Sequence, residues 1–285
     1  MSVDKLQNKI RKLKNPSMVL FSLDSGKVPP GYRVTGTDIG DYRQYAKALL
    51  KALQDIVPAV RFDFGTFAVL GTEGMDTLTE LIDEAASLGF YVLLDAPAIH
   101  TPNAASLIAE QLTKHWKTDG ILLDCYIGSD GVRPFTDALK KNEQDLFLVL
   151  RTANKSASEM QNLLTGTRLV YTVAADMAKR LGEDIVTRCG YSRIGGVGPA
   201  TSTDTLQQLR TKYPAMFLLI DGYDYSGANA KNCSAAFDKF GHGAIACASD
   251  SVVCAWQEET GDPVEQAVLA AERMKKNLTR YLVIL

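Results

Sequence analysis

The chain has 285 residues, 46% of them hydrophobic and 22% charged, with a formal net charge of −2. These are ordinary globular values, which exclude a disordered chain and give no support for a nucleic-acid-binding surface or a polybasic membrane patch. No apolar run approaches the roughly 20 residues needed to span a bilayer.

The start, Met1-Ser2-Val3-Asp4-Lys5-Leu6, has no apolar signal core, so a cytoplasmic protein is expected. The cysteines are Cys125, Cys189, Cys233, Cys247 and Cys254. Their number is odd and no two have the short spacing of a zinc knuckle, so they read as reduced thiols. Neither a metal nor a cofactor is expected.

Residues 1–14 carry a basic amphipathic helix. Met18 to Asp24 is an apolar run closed by Asp24-Ser25-Gly26 and reads as the first strand. Thr37 to Ile56 has helical periodicity, with Tyr42, Tyr45, Ala46, Leu49, Leu50 and Leu53 on one side. Pro58 to Phe64 is the second strand. Glu73 to Leu88 is a helix stopped by Gly89. Phe90 to Ala96 is the third strand, and Asn103 to Trp116 a helix expected to be capped by Asn103.

Gly120 to Asp124 is the fourth strand, followed by a helix over Val132 to Lys141. Leu146 to Arg151 is the fifth strand, with helical stretches at Ser156 to Leu164 and Leu169 to Arg188. The sixth strand, Ile194 to Val197, is glycine-rich and precedes a helix over Thr203 to Lys212. Met216 to Asp221 and Gly243 to Ala248 are the seventh and eighth strands, and residues 262–279 form a closing amphipathic helix. The strands are continuous apolar runs, as expected of parallel strands buried on both faces. Eight such units alternating with helices predict a single α/β domain over 1–285, a TIM (β/α)8 barrel.

The active face of such a barrel lies at the strand C-termini. There the sequence places Asp24, Arg61, Asp63, Asp95, Asp124, Arg151, Thr152, Asn154, Asp221 and Asp250, with His100 just beyond Asp95. Asp24, Arg61 and Asp95 lie in or directly closing apolar strands, where an unpaired charge is costly, so they are expected to pair with one another. Asp224 reads as a loop residue and Asp250 as a cap. His100 near Asp95 is a candidate general acid or base.

The order and spacing of several segments resemble the type 2 branch of the orotidine 5′-phosphate decarboxylase family. They are Asn15-Pro16 with Leu20-Phe21-Ser22-Leu23-Asp24; Val60-Arg61-Phe62-Asp63 with Leu70-Gly71-Thr72-Glu73-Gly74; Tyr126-Ile127-Gly128 with Pro134-Phe135; and Val149-Leu150-Arg151-Thr152-Ala153-Asn154. The resemblance implies a TIM barrel, a homodimer with sites at its interface, and removal of CO2 from orotidine monophosphate without cofactor or metal. It also implies machinery of two lysines and two aspartates.

This chain departs from that machinery. The family's Asp-Ala-Lys-Arg-Gly-Asp reads Asp95-Ala96-Pro97-Ala98-Ile99-His100, so Pro97 stands at the proton-donating lysine and His100 at the second aspartate. Arg61 replaces the other lysine and is a poor acid. Ala153 replaces a base-contacting serine. Ser226 replaces the glutamine of the phosphate loop, and Asp250 replaces the phosphate-binding arginine. A carboxylate there repels the dianion that an arginine attracts.

Three readings follow. The first is a decarboxylase-like pseudoenzyme with a binding or regulatory role. The second is a divergent but active decarboxylase of pyrimidine biosynthesis, a carboxy-lyase. The third is a different enzyme using Arg61, Asp95 and His100 on a non-phosphorylated ligand. In each, Asp24, Asp63, Asp124, Thr152, Asn154, Ser226 and Asp250 are candidate ligand-binding residues. The expected partners are a small, nucleotide-like ligand and a second copy of the chain, not nucleic acid or a membrane.

Overall fold

The computed structural model describes residues 2–284, so Met1 and Leu285, the ends of the expected 1–285 unit, lie outside the described residues. Eight parallel strands close a barrel. They are β1 (Ser17–Phe21), β2 (Ala59–Asp63), β3 (Tyr91–Asp95), β4 (Gly120–Asp124), β5 (Asp145–Val149), β6 (Ser192–Pro199), β7 (Met216–Asp221) and β8 (Ala244–Ala248). They are ordered round the barrel as in the chain, and β1 pairs with β8, Met18 opposite Cys247, to complete it. Among the described residues no helix is long and apolar enough to cross a membrane.

The two-residue period of a strand sorts the side chains into two cores. Val19, Phe21, Val60, Phe62, Val92, Leu94, Leu146, Leu148, Leu218 and Ile220 face outward and pack against the surrounding helices. Met18, Ala59, Tyr91, Leu93, Leu122, Phe147, Val197, Phe217, Leu219, Ile245 and Cys247 fill the interior. The N-terminal helix, Ser2–Leu13, closes the bottom of the barrel by adding Val3, Leu6 and Ile10 to that interior cluster. It is anchored by Lys5, whose Nζ donates to both carboxylate oxygens of Asp119, at 2.8 and 2.7 Å, and to Phe90 O.

The glycine-rich sixth strand is the longest of the eight, running from Ser192 to Pro199 rather than over the four residues expected. A Cβ on Gly195 would lie 2.6 Å from Phe217 O and 2.8 Å from the Phe147 ring, so the absent side chain is what lets two phenylalanines meet edge to face inside the barrel. Gly89 adopts φ +83° and ends the helix Gly71–Ser87, as its position predicts.

Two local expectations give way. The helix after β3 spans Pro102–His115 and is capped by Thr101, whose Oγ1 accepts from Ala104 N, not by Asn103. Pro102 at the first helical position puts the cap at Thr101, two residues earlier than Asn103. After β5, only Ala157–Met160 of the expected 156–164 stretch is helical. The chain then forms a short antiparallel ribbon, Leu164–Thr165 against Arg168–Leu169, turned at Gly166 with φ +64°. Gly166-Thr167 breaks the helical period that Leu163 and Leu164 begin.

Replacing Gly195 with Ala is expected to destabilise the barrel by about 1–3 kcal/mol through overpacking against Phe147 and the β7 backbone. Urea unfolding of the variant against wild type measures it.

Candidate functional site

Strand parity decides which polar residues reach the barrel mouth. Inward positions run Ala59, Arg61, Asp63 on β2; Tyr91, Leu93, Asp95 on β3; Phe217, Leu219, Asp221 on β7; and Ile245, Cys247 on β8. Asp63 pairs with Asp95 in register and Arg61 with Leu93, so Arg61 starts one layer below the carboxylates. Its length carries the guanidinium up to them.

Nε and Nη2 of Arg61 donate to Asp95 Oδ1 and Oδ2 at 2.7 and 2.8 Å, a bidentate pair. Nη1 lies 3.1 Å from Asp221 Oδ1. One guanidinium thus ties β2 to β3 and reaches across the mouth to β7. Only 8% of the Arg61 side chain and 15% of the Asp95 side chain are exposed, so both charges are largely withdrawn from water and depend on each other.

The titration of the pair follows from that setting. Burial works against the charge on Arg61, but Asp221 and Asp95 outweigh it and hold the guanidinium well above its ordinary range. Burial pushes the Asp95 carboxyl up, opposed by Arg61 and reinforced by the charges on Asp221 and Asp63. Cys247 sits at the same level, its thiol also pushed up by burial, with Arg61 opposing.

The other candidates are placed less uniformly. Asp24 does not join Arg61 and Asp95 as expected. Strand β1 ends at Phe21, and Asp24 caps the turn Ser25–Lys27 by accepting from Gly26 N at 2.8 Å. Asp221 stands at the end of β7, where the sequence puts it, and its ion pair with Arg61 is the part not expected. Asp63 borders the cluster but also caps Phe64–Ala68 through Gly65 N at 3.0 Å. Asp124 accepts from Tyr126 N at 2.9 Å and is exposed. His100 is exposed beyond the mouth and makes no hydrogen bond to Asp95, so the foreseen acid–base pair does not form.

Thr152 is turned to Gln161, whose Oε1 accepts from its N and Oγ1 at 2.8 and 3.1 Å. Asn154 Nδ2 donates to Ser156 Oγ, and Ser226 is exposed in the loop after β7. Asp250 is not the simple cap expected of it: Lys27 Nζ lies 2.7 Å from its Oδ1. Asp224, expected to be a plain loop residue, accepts from Ser249 N at 2.6 Å.

Two participants were missed by sequence reasoning as parts of this arrangement, Asp221 as the second carboxylate on Arg61 and Lys27 as the counter-ion of Asp250. Asp221 carried a usable signal, an acid closing a fully apolar strand. Lys27 carried none. Two cavities lie away from the mouth. One of about 640 Å³ is lined by Tyr171, Gln208 and Tyr213 on the flank, and another of about 620 Å³ by Asp4, Lys5, Arg11 and Arg188 at the opposite end. Among the described residues no three His, Cys, Asp or Glu side chains come together to hold a metal ion.

A closed eight-stranded barrel with charged side chains gathered at the strand C-termini is the architecture of the (β/α)8 enzyme class. Within that class, the model of the orotidine 5′-phosphate decarboxylase / HUMPS family matches residues 38–236, and the chain belongs to that family. An orotidine 5′-phosphate decarboxylase of Clostridium novyi is 25% identical over 264 residues, 91% of this chain and 91% of its own. The solved orotidine 5′-monophosphate decarboxylase of Plasmodium berghei has a TM-score of 0.81 at 14% identity, covering 98% of each chain. That of Methanocaldococcus jannaschii, solved with the inhibitor BMP, has a TM-score of 0.64 at 17% identity, covering 91% of this chain and 98% of its own.

Asp95→Asn removes the counter-charge and one of the two acceptor oxygens from a buried guanidinium and is expected to cost about 3–5 kcal/mol of stability in chemical denaturation. Arg61→Met leaves Asp95 buried without its counter-ion. Because burial raises the Asp95 carboxyl, folding then favours its neutral form, and the stability contributed at low pH is lost as pH rises through the folded-state pKa. The melting-temperature deficit of Arg61→Met against wild type is therefore expected to be smaller at pH 4 than at pH 7.

Proposed function

We propose that this member of the orotidine 5′-phosphate decarboxylase / HUMPS family has lost the decarboxylation and persists as a barrel with a binding or regulatory role. One observation carries the reading. The guanidinium at the centre of the mouth is paired with Asp95 and Asp221, and the loop after β3 carries Pro97 where the resemblance implies an ammonium.

The chemistry explains why that matters. Loss of CO2 leaves a carbanion, which needs a cation beside it and a proton to quench it. Arg61 supplies charge only to two carboxylates, and its proton is held far above the range of a working acid. Pro97 has no ionisable group. The Lys27 ammonium, in the turn after β1, is engaged by Asp250 and Ser22. His100, on the exposed side of the loop, lacks the carboxylate partner that would orient it.

Ligand binding changes in the same direction. Asp250 offers a negative charge where the resemblance implies an arginine for phosphate, and Ser226 a shorter side chain than the implied glutamine. A nucleotide-like ligand and a homodimer, both implied by the resemblance, belong to this reading as proposals. The Methanocaldococcus jannaschii relative was solved with BMP, which supports a nucleotide-like ligand class for the scaffold.

The test is the loss of orotidine monophosphate absorbance in the ultraviolet on mixing with purified protein. No turnover above the uncatalysed rate is expected. Turnover by wild type that vanishes in Asp95→Asn, with the variant still folded by circular dichroism, would establish an active decarboxylase instead.

A further inference from the structure

The end of the barrel opposite the mouth gathers charge of both signs around a cavity that the reading above does not use. The cavity, of about 620 Å³, is lined by Asp4, Lys5, Asn8 and Arg11 of the N-terminal helix, by Glu143, and by Arg188 and Cys189. Its size falls within the roughly 300–1,000 Å³ of small-molecule sites. Three separate stretches of chain build it, and each is fixed. The helix Ser2–Leu13 is seated by Val3, Leu6 and Ile10 in the barrel floor. Glu143 closes the helix Ser129–Asn142 in the left-handed conformation, φ +56°, its N–H donating to Leu139 O. The loop before β6 is held by Asp4, whose Oδ1 accepts from Cys189 N at 2.8 Å.

Two of the charges are spent inside the protein. Lys5 is held by Asp119 and Phe90 O. Asp4 is spent on the loop: burial opposes its charge, but hydrogen bonds from Cys189, Thr187 and Arg188 outweigh it and keep the carboxyl below its ordinary range. Asn8, Glu143 and Arg188 are different. Among the described residues their side chains make no hydrogen bond and no ion pair, with each other or with anything else. A guanidinium, a carboxylate and an amide therefore line one cavity with their polar groups uncommitted, and Arg11 adds positive charge to the same wall.

We propose that this cavity binds a small zwitterion of the amino-acid class, its carboxylate taken by Arg188 and its ammonium by Glu143. The fork of a guanidinium matches the two oxygens of a carboxylate, and a charge-assisted bond of each sign fixes the ligand's direction. The Asn8 amide both donates and accepts, so it serves either end. A simple anion would meet Glu143 and Asp4 as repelling charges, and a simple cation would meet Arg188 and Arg11. Only a ligand carrying both signs satisfies the walls as they stand. Bound there, it ties the N-terminal helix to the loop before β6 and stabilises the folded chain by mass action. The inference goes beyond the proposed loss of decarboxylation and stands or falls separately, since it concerns the face opposite the mouth and binding rather than turnover.

Thermal melts and isothermal titration calorimetry on the full chain test it at low salt. The probes are the twenty amino acids one at a time, with acetate and methylammonium, which each carry one of the two charges. At least one amino acid is expected to raise the melting temperature and to bind, while acetate and methylammonium at the same concentration do neither. Glu143→Gln and Arg188→Gln change exposed side chains, and each is first shown to be folded by its own melt. Each is expected to weaken the binding about tenfold or more, the scale of one lost charge-assisted contact. The proposal is overturned if no amino acid binds, if acetate or methylammonium binds as tightly as the best amino acid, or if the affinity survives both substitutions.

Discussion

A guanidinium largely withdrawn from water must be neutralised by carboxylates it can hydrogen-bond, and that constraint organises the mouth of this barrel. Arg61 starts on β2, takes both oxygens of Asp95 on the neighbouring strand, and reaches Asp221 from the far side. One side chain thus links the paired neighbours β2 and β3 to β7, which pairs with neither. Nη1 lies within ion-pair distance of Asp221 but makes no hydrogen bond to it.

The periphery repeats the pattern. Lys27, its side chain largely buried in the turn after β1, is met by Asp250 just beyond β8. Asp24, Asp63 and Asp124 each bend back onto a backbone N–H two residues on, becoming turn or helix caps. Arg61 and Lys27 are paired with internal carboxylates, Arg151 donates to Asn162 Oδ1, and several carboxylates accept from internal amides. A scaffold related to orotidine 5′-phosphate decarboxylases has its strand-end charges satisfied from within, and that is the physical basis for reading it as a binding or regulatory barrel.

Stability and function make different demands on the fold. The interior below the mouth is packed with aromatic and aliphatic side chains, with Phe147 and Phe217 meeting edge to face against a glycine strand and the N-terminal helix closing the base. That packing holds the strand ends at fixed spacings. It is why the Arg61 bridge is possible, and why changes of loop residues alter the mouth without altering the barrel.

Much of this was legible in the residues. Eight apolar runs alternating with helical patterns determined the barrel, because strands buried on both faces leave no polar period to confuse with anything else. The pairing of Arg61 with Asp95 was also legible, since a charge inside an apolar strand has to find its opposite. What the sequence could not supply was which acid comes second. Asp24 and Asp221 each sit by an apolar strand, and only the tertiary structure shows that β1 ends early and turns Asp24 onto Gly26. Inward strand parity and closure of the barrel bring Asp221 to Arg61. Lys27 and Asp250 are 223 residues apart in the chain and adjacent only because β1 pairs with β8. Local periodicity is written along the chain, but contacts across a closed barrel depend on register and strand ends, which no single segment encodes.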